Sequence, residues 1–436
     1  MYGKRAVELL RRFRKAEQAN IVITFTLALV PIMGAVGAAV DYSLANKART
    51  ELQAAADAAA VGAIAKSSPA MQAAASMNSD GTIATGVKDA LDIFNGQIVN
   101  RKGFTNAKPK AKVVKTKGSV TSTVDFTAKV PTKFMGLFGK KNINISGTST
   151  AANGTPLYAD FYLLLDNTPS MGVGATPTDI ATMVASTPDQ CAFACHDLSQ
   201  PKSNYYQLAK KLGVKMRIDV LRTATQQLMD TAKNTAVTSS QFRAAIYTFG
   251  TSCTMLGLSN VAPLTSNLML AKSQANNIDL MTIPNQGYNN DQCTDYDGTL
   301  AAINKAIPSP GDGSTSSNAQ KYLFFVSDGV ADANNPFGCS KPLNAGTRCQ
   351  EPIDYSFCET IKKRGVKIAV LYTTYLPLPT NAWYNTWIKP FTSEIGPRMQ
   401  SCATPGLYFE VSPTQGISEA MNALFQKIVQ QAHLTK

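Results

Sequence analysis

The amino-acid sequence predicts an α/β protein in three parts. An N-terminal transmembrane helix continues into a helical rod, a small β-rich segment follows, and a larger doubly wound sheet with helices on both faces ends the chain. Three observations predict this order. Segment 21–40 carries no charged residue, segment 109–150 alternates apolar and polar residues, and from residue 158 short apolar runs alternate with amphipathic ones.

Composition excludes several classes of protein. The chain has 436 residues and a formal net charge of +13, but 44% of its residues are hydrophobic and only 16% are charged, which excludes a long disordered polyelectrolyte. With only two histidines, His196 and His433, a three-histidine zinc site is excluded. The positive charge is concentrated in two basic zones, 1–20 and 100–141, the second of which has Asp125 as its single acidic residue.

The apolar run 21–40 is long enough to cross a membrane. At about 1.5 Å per residue it spans about 30 Å, the thickness of a hydrocarbon core. A cleaved signal peptide is the alternative, but its apolar region would be about 7–15 residues long and a small-residue site would follow it. We therefore predict an uncleaved transmembrane helix over 21–41. The basic tail 1–20 predicts a cytoplasmic N-terminus, with the rest of the chain exported.

Segment 42–157 is predicted to form a helical stalk and a small basic β-rich region. The alanine-rich stretch 42–66 continues the membrane helix, and a helix over 83–94 is expected to pack back on it. The lysines of the β-rich region are expected largely on one solvent face: Lys108, Lys110, Lys112, Lys115 and Lys117. No aromatic residues interleave with them, so solubility or an anionic surface such as lipid headgroups is favoured over nucleic acid.

Region 158–436 has the pattern of a mostly parallel sheet covered on both faces. Predicted strands lie at 160–165, 242–249, 322–326, 366–372 and 407–411, and predicted helices at 204–233, 353–364 and 417–432, with insertions near 172–203 and 330–352. All eight cysteines lie in this region, which predicts disulfides in an exported protein rather than free cytosolic thiols. Cys339 and Cys349 could close a short loop, while Cys191 and Cys195 could pair with each other or staple their loop to the body of the domain.

Oxygen-bearing side chains follow the carboxyl ends of the predicted strands, where such folds bind ligands. Asp166, Thr168 and Ser170 follow the first strand at every second position. Asp328 follows strand 322–326, and Thr294 stands in the loop before a helix. Carboxylates and hydroxyls without histidine or thiolate favour a hard cation such as Mg²⁺, or Mn²⁺ or Ca²⁺. Ordinary strand-end turns with helix caps are the alternative.

These residues resemble the von Willebrand factor A domain and its metal-ion-dependent adhesion site. That family has D-x-S-x-S on a first loop, Thr on a second and Asp on a third, so the resemblance implies a Rossmann-like sheet over 158–436. It also implies that Thr168, Ser170 and Thr294 touch the metal, while Asp166 and Asp328 act largely through water. Thr168 replaces the usual Ser and keeps the hydroxyl. Thr294 precedes Gly298 by four residues, and Thr299 is the alternative second-loop ligand.

The N-terminal part resembles a second family. Phe13-Arg14, Ala19-Asn20, the motif Gly-Ala-Ala-Val-Asp-Tyr at 37–42 and the alanine-rich run at 52–60 are similar to the Tad-type (Flp) pilus-assembly family, TadG members in particular. These proteins join such an anchor to a von Willebrand A domain, and the resemblance covers about 10–66 and 158–432. It implies a single-pass protein of the bacterial inner membrane with its C-terminal domain in the periplasm or outside the cell. Ala19 replaces the family's usual Gly, which argues against prepilin-type cleavage there.

The sequence supports haem attachment and enzymatic activity less well than it supports a binding site. Segment 191–196 resembles a haem-attachment motif with one residue too many, and a disulfide staple is the preferred interpretation. Ser170 lacks a G-x-S-x-G context, and no phosphate-binding loop is present, so no enzyme and no small-molecule substrate are predicted.

The predicted function is metal-dependent protein–protein interaction in Flp/Tad pilus assembly or adhesion. The partner would be a pilus-assembly component or a surface ligand that offers a carboxylate, and no nucleic acid is expected. The alternative is a minor pilin-like subunit that displays an A domain whose metal site is not used. Asp166→Ala is expected to abolish metal-dependent binding and to leave the fold intact.

Overall fold

The computed structural model describes residues 17–434 except 78, 117, 376 and 413–415, and the side chains of 17–20, 290 and 431–434 also lie outside the description. The basic tail with Phe13-Arg14, Lys117 and the His433 side chain therefore lie outside the described residues. The chain divides into two compact units, Met1–Thr155 and Pro156–Lys436. The predicted boundary lies two residues further on, between 157 and 158.

The helices of the first unit are α1 (Glu17–Gly62), α2 (Pro69–Ser76) and α3 (Ala84–Ile98). Helix α1 runs without a break from the apolar segment into the alanine-rich stretch, because alanine is the strongest helix former and Pro31 is tolerated in an apolar helix. Its apolar part has a mean hydropathy of 2.2 and is 6% buried. By length and composition it fits a single-pass membrane anchor.

The strands of the first unit are β1 (Gly81–Thr82), β2 (Thr105–Thr116), β3 (Ser119–Pro131) and β4 (Asn142–Gly154). They form one antiparallel sheet in chain order, and a short 3₁₀ helix, Met135–Phe138, joins β3 to β4. Small residues of α1 such as Ala48, Ala55 and Ala59 are buried in one core with Val124 and Phe126 of β3, so the rod lies on the sheet.

Three of the four described lysines of the predicted solvent face lie on it. Lys108, Lys110 and Lys112 of β2 are exposed on one side, but Lys115 is 2% exposed on the other, so this prediction is wrong for Lys115. Its Nζ donates to the carbonyl oxygens of Ala74 (3.0 Å) and Met77 (2.7 Å) at the end of α2. The physical reason is the odd spacing from 112 to 115, which moves a strand residue to the opposite face.

The second unit is built on a mostly parallel sheet. Its strands are β5 (Ala159–Leu165), β6 (His196–Asp197), β7 (Phe242–Ser252), β8 (Met255–Thr265), β9 (Thr282–Ile283), β10 (Gln320–Ser327), β13 (Lys367–Thr373) and β14 (Tyr408–Val411). The order is β14-β13-β10-β5-β7-β9-β6, and β8 pairs antiparallel with β7. A separate hairpin, β11 (Val330–Asn334) with β12 (Arg348–Pro352), occupies the predicted insertion near 330–352.

The helices of the second unit are α4 (Pro177–Ser186), α5 (Tyr205–Leu212), α6 (Arg217–Thr235), α7 (Leu268–Gln274), α8 (Tyr296–Ala306), α9 (Ser356–Lys363), α10 (Thr392–Cys402) and α11 (Ile417–Leu434). Short 3₁₀ turns lie at Pro169–Gly172, Ala275–Asn277, Tyr288–Asp291 and Lys389–Phe391, and one π turn at Tyr384–Ile388. The single helix predicted over 204–233 is wrong. Gly213, at φ +70°, ends α5 in the left-handed conformation, and Met216 is extended before α6 starts.

Helices pack against both faces of β5 in this sheet. Leu163 of β5 lies in one core with Leu221 of α6 and residues of α11. Leu164, the next residue, lies in a second core with Leu300 of α8 and residues of α9 and α10. Because alternate residues of β5 point into two separate cores, β5 is buried on both sides.

Three disulfides cross-link the second unit: Cys253–Cys293, Cys339–Cys349 and Cys358–Cys402. The predicted bridge between Cys339 and Cys349 is confirmed. Cys191 and Cys195 are free cysteines in the structure, so neither their pairing nor a staple to the body is formed. Six of the eight cysteines are therefore paired, which fits an oxidising compartment.

Candidate metal centre

Strand register brings the first and third predicted loops together. β5 and β10 are parallel neighbours, with Leu165 paired to Val326. The backbone N–H of Asp166 donates to the carbonyl of Val326 at 3.0 Å. Asp166 and Asp328 therefore lie side by side at the carboxyl edge of the sheet, as a shared site requires.

The carboxylate of Asp166 is fully buried and already well supplied with donors. Its Oδ1 accepts from the backbone N–H (2.9 Å) and the hydroxyl (2.7 Å) of Thr168. Its Oδ2 accepts from Ser327 Oγ at 2.7 Å and from the Tyr296 hydroxyl at 3.3 Å. Burial raises the pKa of Asp166 in spite of these donors. Asp166 thus acts as a fixed acceptor that orients three neighbouring hydroxyls.

Asp328 is also fully buried, but it is less completely satisfied. Its Oδ1 accepts from the Val330 backbone N–H at 3.3 Å, and its Oδ2 lies 3.5 Å from Nη1 of Arg217. Burial, followed by repulsion from Asp166, raises the pKa of Asp328 to about 6, while Arg217 and the Ser170 hydroxyl act in the opposite direction. A second positive charge near this carboxylate would therefore relieve an existing electrostatic cost.

Thr168 and Ser170 connect the two carboxylates. Thr168 is the N-cap residue of the 3₁₀ turn Pro169–Gly172, and its hydroxyl lies 3.3 Å from that of Ser170. Ser170 in turn acts on Asp328. The structure therefore brings four of the five predicted site residues into one cluster: Asp166, Thr168, Ser170 and Asp328.

Thr294, the fifth predicted residue, is held beside this cluster by its backbone. It forms an antiparallel bridge with Asp332 of β11, with N–H to O distances of 2.7 and 3.0 Å. The preceding residue, Cys293, is tied to Cys253. Thr294 and Ser170 line the same cavity of about 200 Å³. Among the described residues, however, no hydrogen bond joins the Thr294 side chain to the other four.

Thr299, the alternative second-loop ligand, lies on α8. Its side chain is fully buried, and within the described ranges its hydroxyl has no hydrogen-bond partner. It follows Tyr296 by one helical turn. The two threonines thus differ in access, since Thr294 borders the cavity and Thr299 is enclosed.

Three residues of the site were not predicted from the sequence: Arg217, Tyr296 and Ser327. Arg217, at the start of α6, is 1% exposed, and its guanidinium lies 5.5 Å from the centre of the Tyr375 ring. Tyr296 hydrogen-bonds to both Asp166 and Ser327.

The sequence holds a signal for only one of these residues. The motif Ser327-Asp328-Gly329 at a strand end could have indicated Ser327. No local pattern marks Arg217, which is 111 residues from Asp328.

The chemistry of the donors fits a hard divalent cation. Hydroxyl and carboxylate oxygens are the ligands that Mg²⁺ and Ca²⁺ prefer. The cluster holds two buried carboxylates against one guanidinium, so a cation would supply charge that the protein lacks there. Ser170 and Thr294 could hold it from the cavity side, and Asp328 could balance its charge. Asp166, with its donors in place, could orient the hydroxyls.

The cavity itself has an aromatic wall and a charged wall. Phe193, Tyr375 and Trp383 line it, together with Asp332 and Arg348. The guanidinium of Arg348 contacts Asp332 through two nitrogens, at 2.8 and 2.6 Å, and lies 5.2 Å from the centre of the Trp383 ring. Aromatic rings and an ion pair therefore border the space next to Ser170 and Thr294.

Two other groups of potential metal ligands do not offer a thiolate at neutral pH. Cys339 and Cys349, which lie near Glu351, are joined to each other and offer no thiolate. In the segment 191–196, burial raises the pKa of Cys195 to about 12, so its thiol is protonated at neutral pH. The ring of His196 stacks on Tyr206 with centroids 4.2 Å apart.

One protein-family model matches the chain. It is described as "Putative Flp pilus-assembly TadE/G-like" and matches residues 19–75, which include most of α1. The match thus covers the apolar segment and the alanine-rich part of the rod. No curated protein matches the chain.

Three solved structures illustrate what the chain is similar to. The von Willebrand domain of the type V pili tip protein Mfa5 from Porphyromonas gingivalis has 10% identity and a TM-score of 0.37, with coverage of 64% of this chain and 97% of that one. A mutant of the PilB minor pilin from Streptococcus sanguinis has 14% identity and a TM-score of 0.34, covering 77% and 80%. The pilus adhesin SpaC from Lactobacillus rhamnosus GG has 10% identity and a TM-score of 0.35, covering 75% and 34%. These scores are low, so the fold rests on this chain's own strand order.

Proposed function

We propose that this chain is a membrane-anchored protein of Flp/Tad pilus assembly or adhesion, and that its von Willebrand A-type second unit binds protein partners through a divalent cation, Mg²⁺ or else Mn²⁺ or Ca²⁺. The observation that carries the binding proposal is the buried cluster of Asp166, Thr168, Ser170 and Asp328 beside an open cavity. The match of residues 19–75 to a pilus-assembly family model supports the biological setting.

The apolar part of α1 supports a single-pass anchor in the bacterial inner membrane. We place the basic tail 1–20 in the cytoplasm and the second unit in the periplasm or outside the cell. The three disulfides of that unit support the exported side, because disulfides persist in oxidising compartments.

Binding would use the protein groups around the cavity. A bound cation supplies an open coordination position for an oxygen ligand. Ser170 and Thr294 would hold it with neutral hydroxyls, and Asp328 would contribute a full negative charge. Few charged ligands leave the site electropositive, which favours an acidic side chain from a partner. Phe193 and Trp383 would exclude water around that side chain.

A second candidate function follows from Arg217. Its guanidinium lies 3.5 Å from Asp328 and gives that carboxylate a counter-charge without any metal. In this case the cluster is a structural ion pair, and the chain is a minor pilin-like subunit that displays the second unit with an unused site. Buried ion pairs of this kind serve structure in many proteins.

Titration calorimetry with Mg²⁺ and Mn²⁺ on the detergent-solubilised full chain separates the two candidates. Thr168→Val removes a site hydroxyl but keeps the side-chain shape, and Ser199→Ala is a matched control. Ser199 makes the same turn as Thr168, with its N–H (2.8 Å) and hydroxyl (2.7 Å) both donating to Asp197 Oδ1.

The metal-binding function requires that the wild type and Ser199→Ala bind alike and that Thr168→Val binds about tenfold or more weakly. If the wild type binds no ion, the metal-binding function is rejected and the display function takes its place. A pull-down of partners with and without EDTA then tests whether a bound ion is used.

A further inference from the structure

The connection between β3 and β4, residues 132–141, carries three large apolar side chains that are exposed. We name it the β3–β4 turn; its sequence is Thr-Lys-Phe-Met-Gly-Leu-Phe-Gly-Lys-Lys. Leu137 is 83% exposed, Phe138 64% and Phe134 41%. Three large apolar side chains exposed at one turn form an apolar surface patch, and such patches mark interaction sites.

The β3–β4 turn lies against the apolar segment of α1. A Cβ atom placed on Gly37 would be 2.5 Å from Cβ of Phe134, and one on Gly34 would be 3.2 Å from the Phe138 ring. Only glycine at position 37 permits this approach, because real Cβ atoms do not come so close. The turn therefore contacts the part of α1 that has the length and hydropathy of a membrane span.

Asp41 fixes the position of the turn along α1. Its side chain is 1% exposed, and its two oxygens accept hydrogen bonds from three successive backbone N–H groups, those of Lys133 (2.7 Å), Phe134 (2.9 Å) and Met135 (2.7 Å). These groups open the 3₁₀ helix Met135–Phe138, where a carboxylate is favoured. The contact is thus built into the fold.

Depth follows from the rise of the helix. Gly34 precedes Asp41 by seven residues, or about 10 Å along α1. If segment 21–40 fills the hydrocarbon core, Phe138 lies about 10 Å inside its boundary. Lys133, Lys140 and Lys141 flank the apolar residues and are exposed. Lysines beside buried apolar groups are typical of the headgroup level, where anionic phosphates attract them.

We infer that the β3–β4 turn is a second membrane-contacting element, which inserts Phe134, Leu137 and Phe138 among the acyl chains of the leaflet from which the stalk emerges. Its lysines contact anionic phospholipid headgroups. The partner is lipid because the turn continues the apolar face of α1 and carries the complementary charge. The inference rests on the membrane anchor of the proposed function and extends it, since two contacts would hold the stalk at a fixed orientation on the membrane.

Tryptophan quenching by brominated lipids tests this insertion. The full chain is placed as single copies in nanodiscs of phosphatidylcholine and phosphatidylglycerol, with plain or brominated acyl chains. Phe138→Trp reports on the turn, Phe25→Trp on the anchor, and Val61→Trp is the control, because Val61 is 61% exposed and lies about 30 Å beyond Asp41 on α1. The wild type gives the background of the two native tryptophans.

We expect brominated lipid to quench Phe138→Trp by roughly half or more of the fraction seen for Phe25→Trp, and to leave Val61→Trp unchanged. Quenching of Phe25→Trp alone overturns the insertion of the turn and supports the anchor. The exposed turn would then contact a second copy of the chain or a pilus subunit instead of lipid. No quenching in either variant overturns both the turn and the anchor. Single-copy nanodiscs ensure that a quenched turn contacts lipid rather than another copy.

Discussion

At the residue scale, the decisive group is Arg217. It is the one positive charge that contacts the predicted metal cluster among the described residues, and it faces Asp328 from the start of α6. A guanidinium and a divalent cation would repel each other there, yet both are attracted to the same carboxylate. The balance between them decides whether the cluster binds metal or is a structural ion pair.

Arg217→Met is therefore expected to tighten Mg²⁺ binding roughly tenfold, because it removes the repulsion between the guanidinium and the cation. Methionine leaves an unbranched apolar side chain in the place of the arginine. Calorimetry on the full chain measures this, with Arg243→Met as control, since Arg243 pairs with Asp160 at the other end of β5. Weaker ion binding in Arg217→Met would show that Arg217 supports the site.

Asp166→Ala, expected from the sequence to leave the fold intact, is now predicted to destabilise it. Four buried donor contacts end on this carboxylate, and unsatisfied buried groups cost about 1–3 kcal/mol each. We expect the free energy of unfolding in EDTA to fall by about 2 kcal/mol or more. Asp166→Asn, which keeps one acceptor oxygen, should lose less.

Urea unfolding of the full chain measures the difference. Asp354→Ala is the control, because Asp354 accepts two hydrogen bonds from Ser356 in an exposed turn and should change stability by only a few tenths of a kcal/mol. Equal stability of Asp166→Ala and wild type would restore the original expectation and show that the donors find water.

At the element scale, disulfides and hairpins fix the loop that carries Thr294. Cys253–Cys293 ties this loop to the β7–β8 hairpin, and β11 pairs with Thr294 from the other side. Cys339–Cys349 in turn closes the connection between β11 and β12. The second loop of the site is thus held by covalent and backbone links, while its side chain stays free to face the cavity.

Removing Cys253–Cys293 by a double Cys→Ser change should lower stability by roughly 4 kcal/mol, the chain-entropy value for a loop of 40 residues. Mg²⁺ binding should weaken as well, because Thr294 follows Cys293 directly. Thermal unfolding and calorimetry check both effects. The double change at Cys191 and Cys195, which are not bonded, should cost much less; an equal cost would mean that these two cysteines also pair in the native protein.

The contact between α1 and the β3–β4 turn gives a second prediction at this scale. Gly37→Ala should displace the turn and reduce the lipid quenching of Phe138→Trp by about half or more, because the new methyl group would meet Phe134 at 2.5 Å. Gly96→Ala on α3 is the matched control, since nothing lies within 4 Å of its added Cβ. It should leave quenching unchanged and stabilise the unit by about 0.4–1 kcal/mol.

At the scale of the whole molecule, one chain joins a membrane-span helix and its sheet to a disulfide-linked α/β unit. The charge pattern predicts how such a chain is oriented: six of the first 20 residues are basic, and the apolar run follows directly. The three disulfides of the second unit are typical of an oxidising compartment.

A reporter fused after Lys436 should accordingly be exported. Alkaline phosphatase at this position should be active and green fluorescent protein dark, because each folds on one side of the inner membrane only. Fusions before Met1 should give the reverse pattern. A fluorescent, phosphatase-negative C-terminal fusion would invert the topology.

The sequence by itself determined the features that contiguous residues encode. The length of the apolar run, the alternation of strands and helices, and the spacing of Asp166, Thr168 and Ser170 after β5 are local patterns. Each reports a short-range physical requirement, such as the thickness of a membrane, the burial of a central strand or the geometry of a turn.

Only the tertiary structure decided the rest, because it depends on pairing between distant segments. Arg217 contacts Asp328, which lies 111 residues further along the chain. Gly213 adopts the left-handed conformation that ends α5, which divides the helix predicted there. The odd spacing from Lys112 puts Lys115 on the inner face of β2, but only the packing of α2 shows which carbonyl oxygens accept from its ammonium group. The β3–β4 turn meets α1 because Gly37 and Asp41, more than 90 residues earlier, leave room for it and bind its backbone. Such contacts are selected by packing and burial in three dimensions, which no local spacing records.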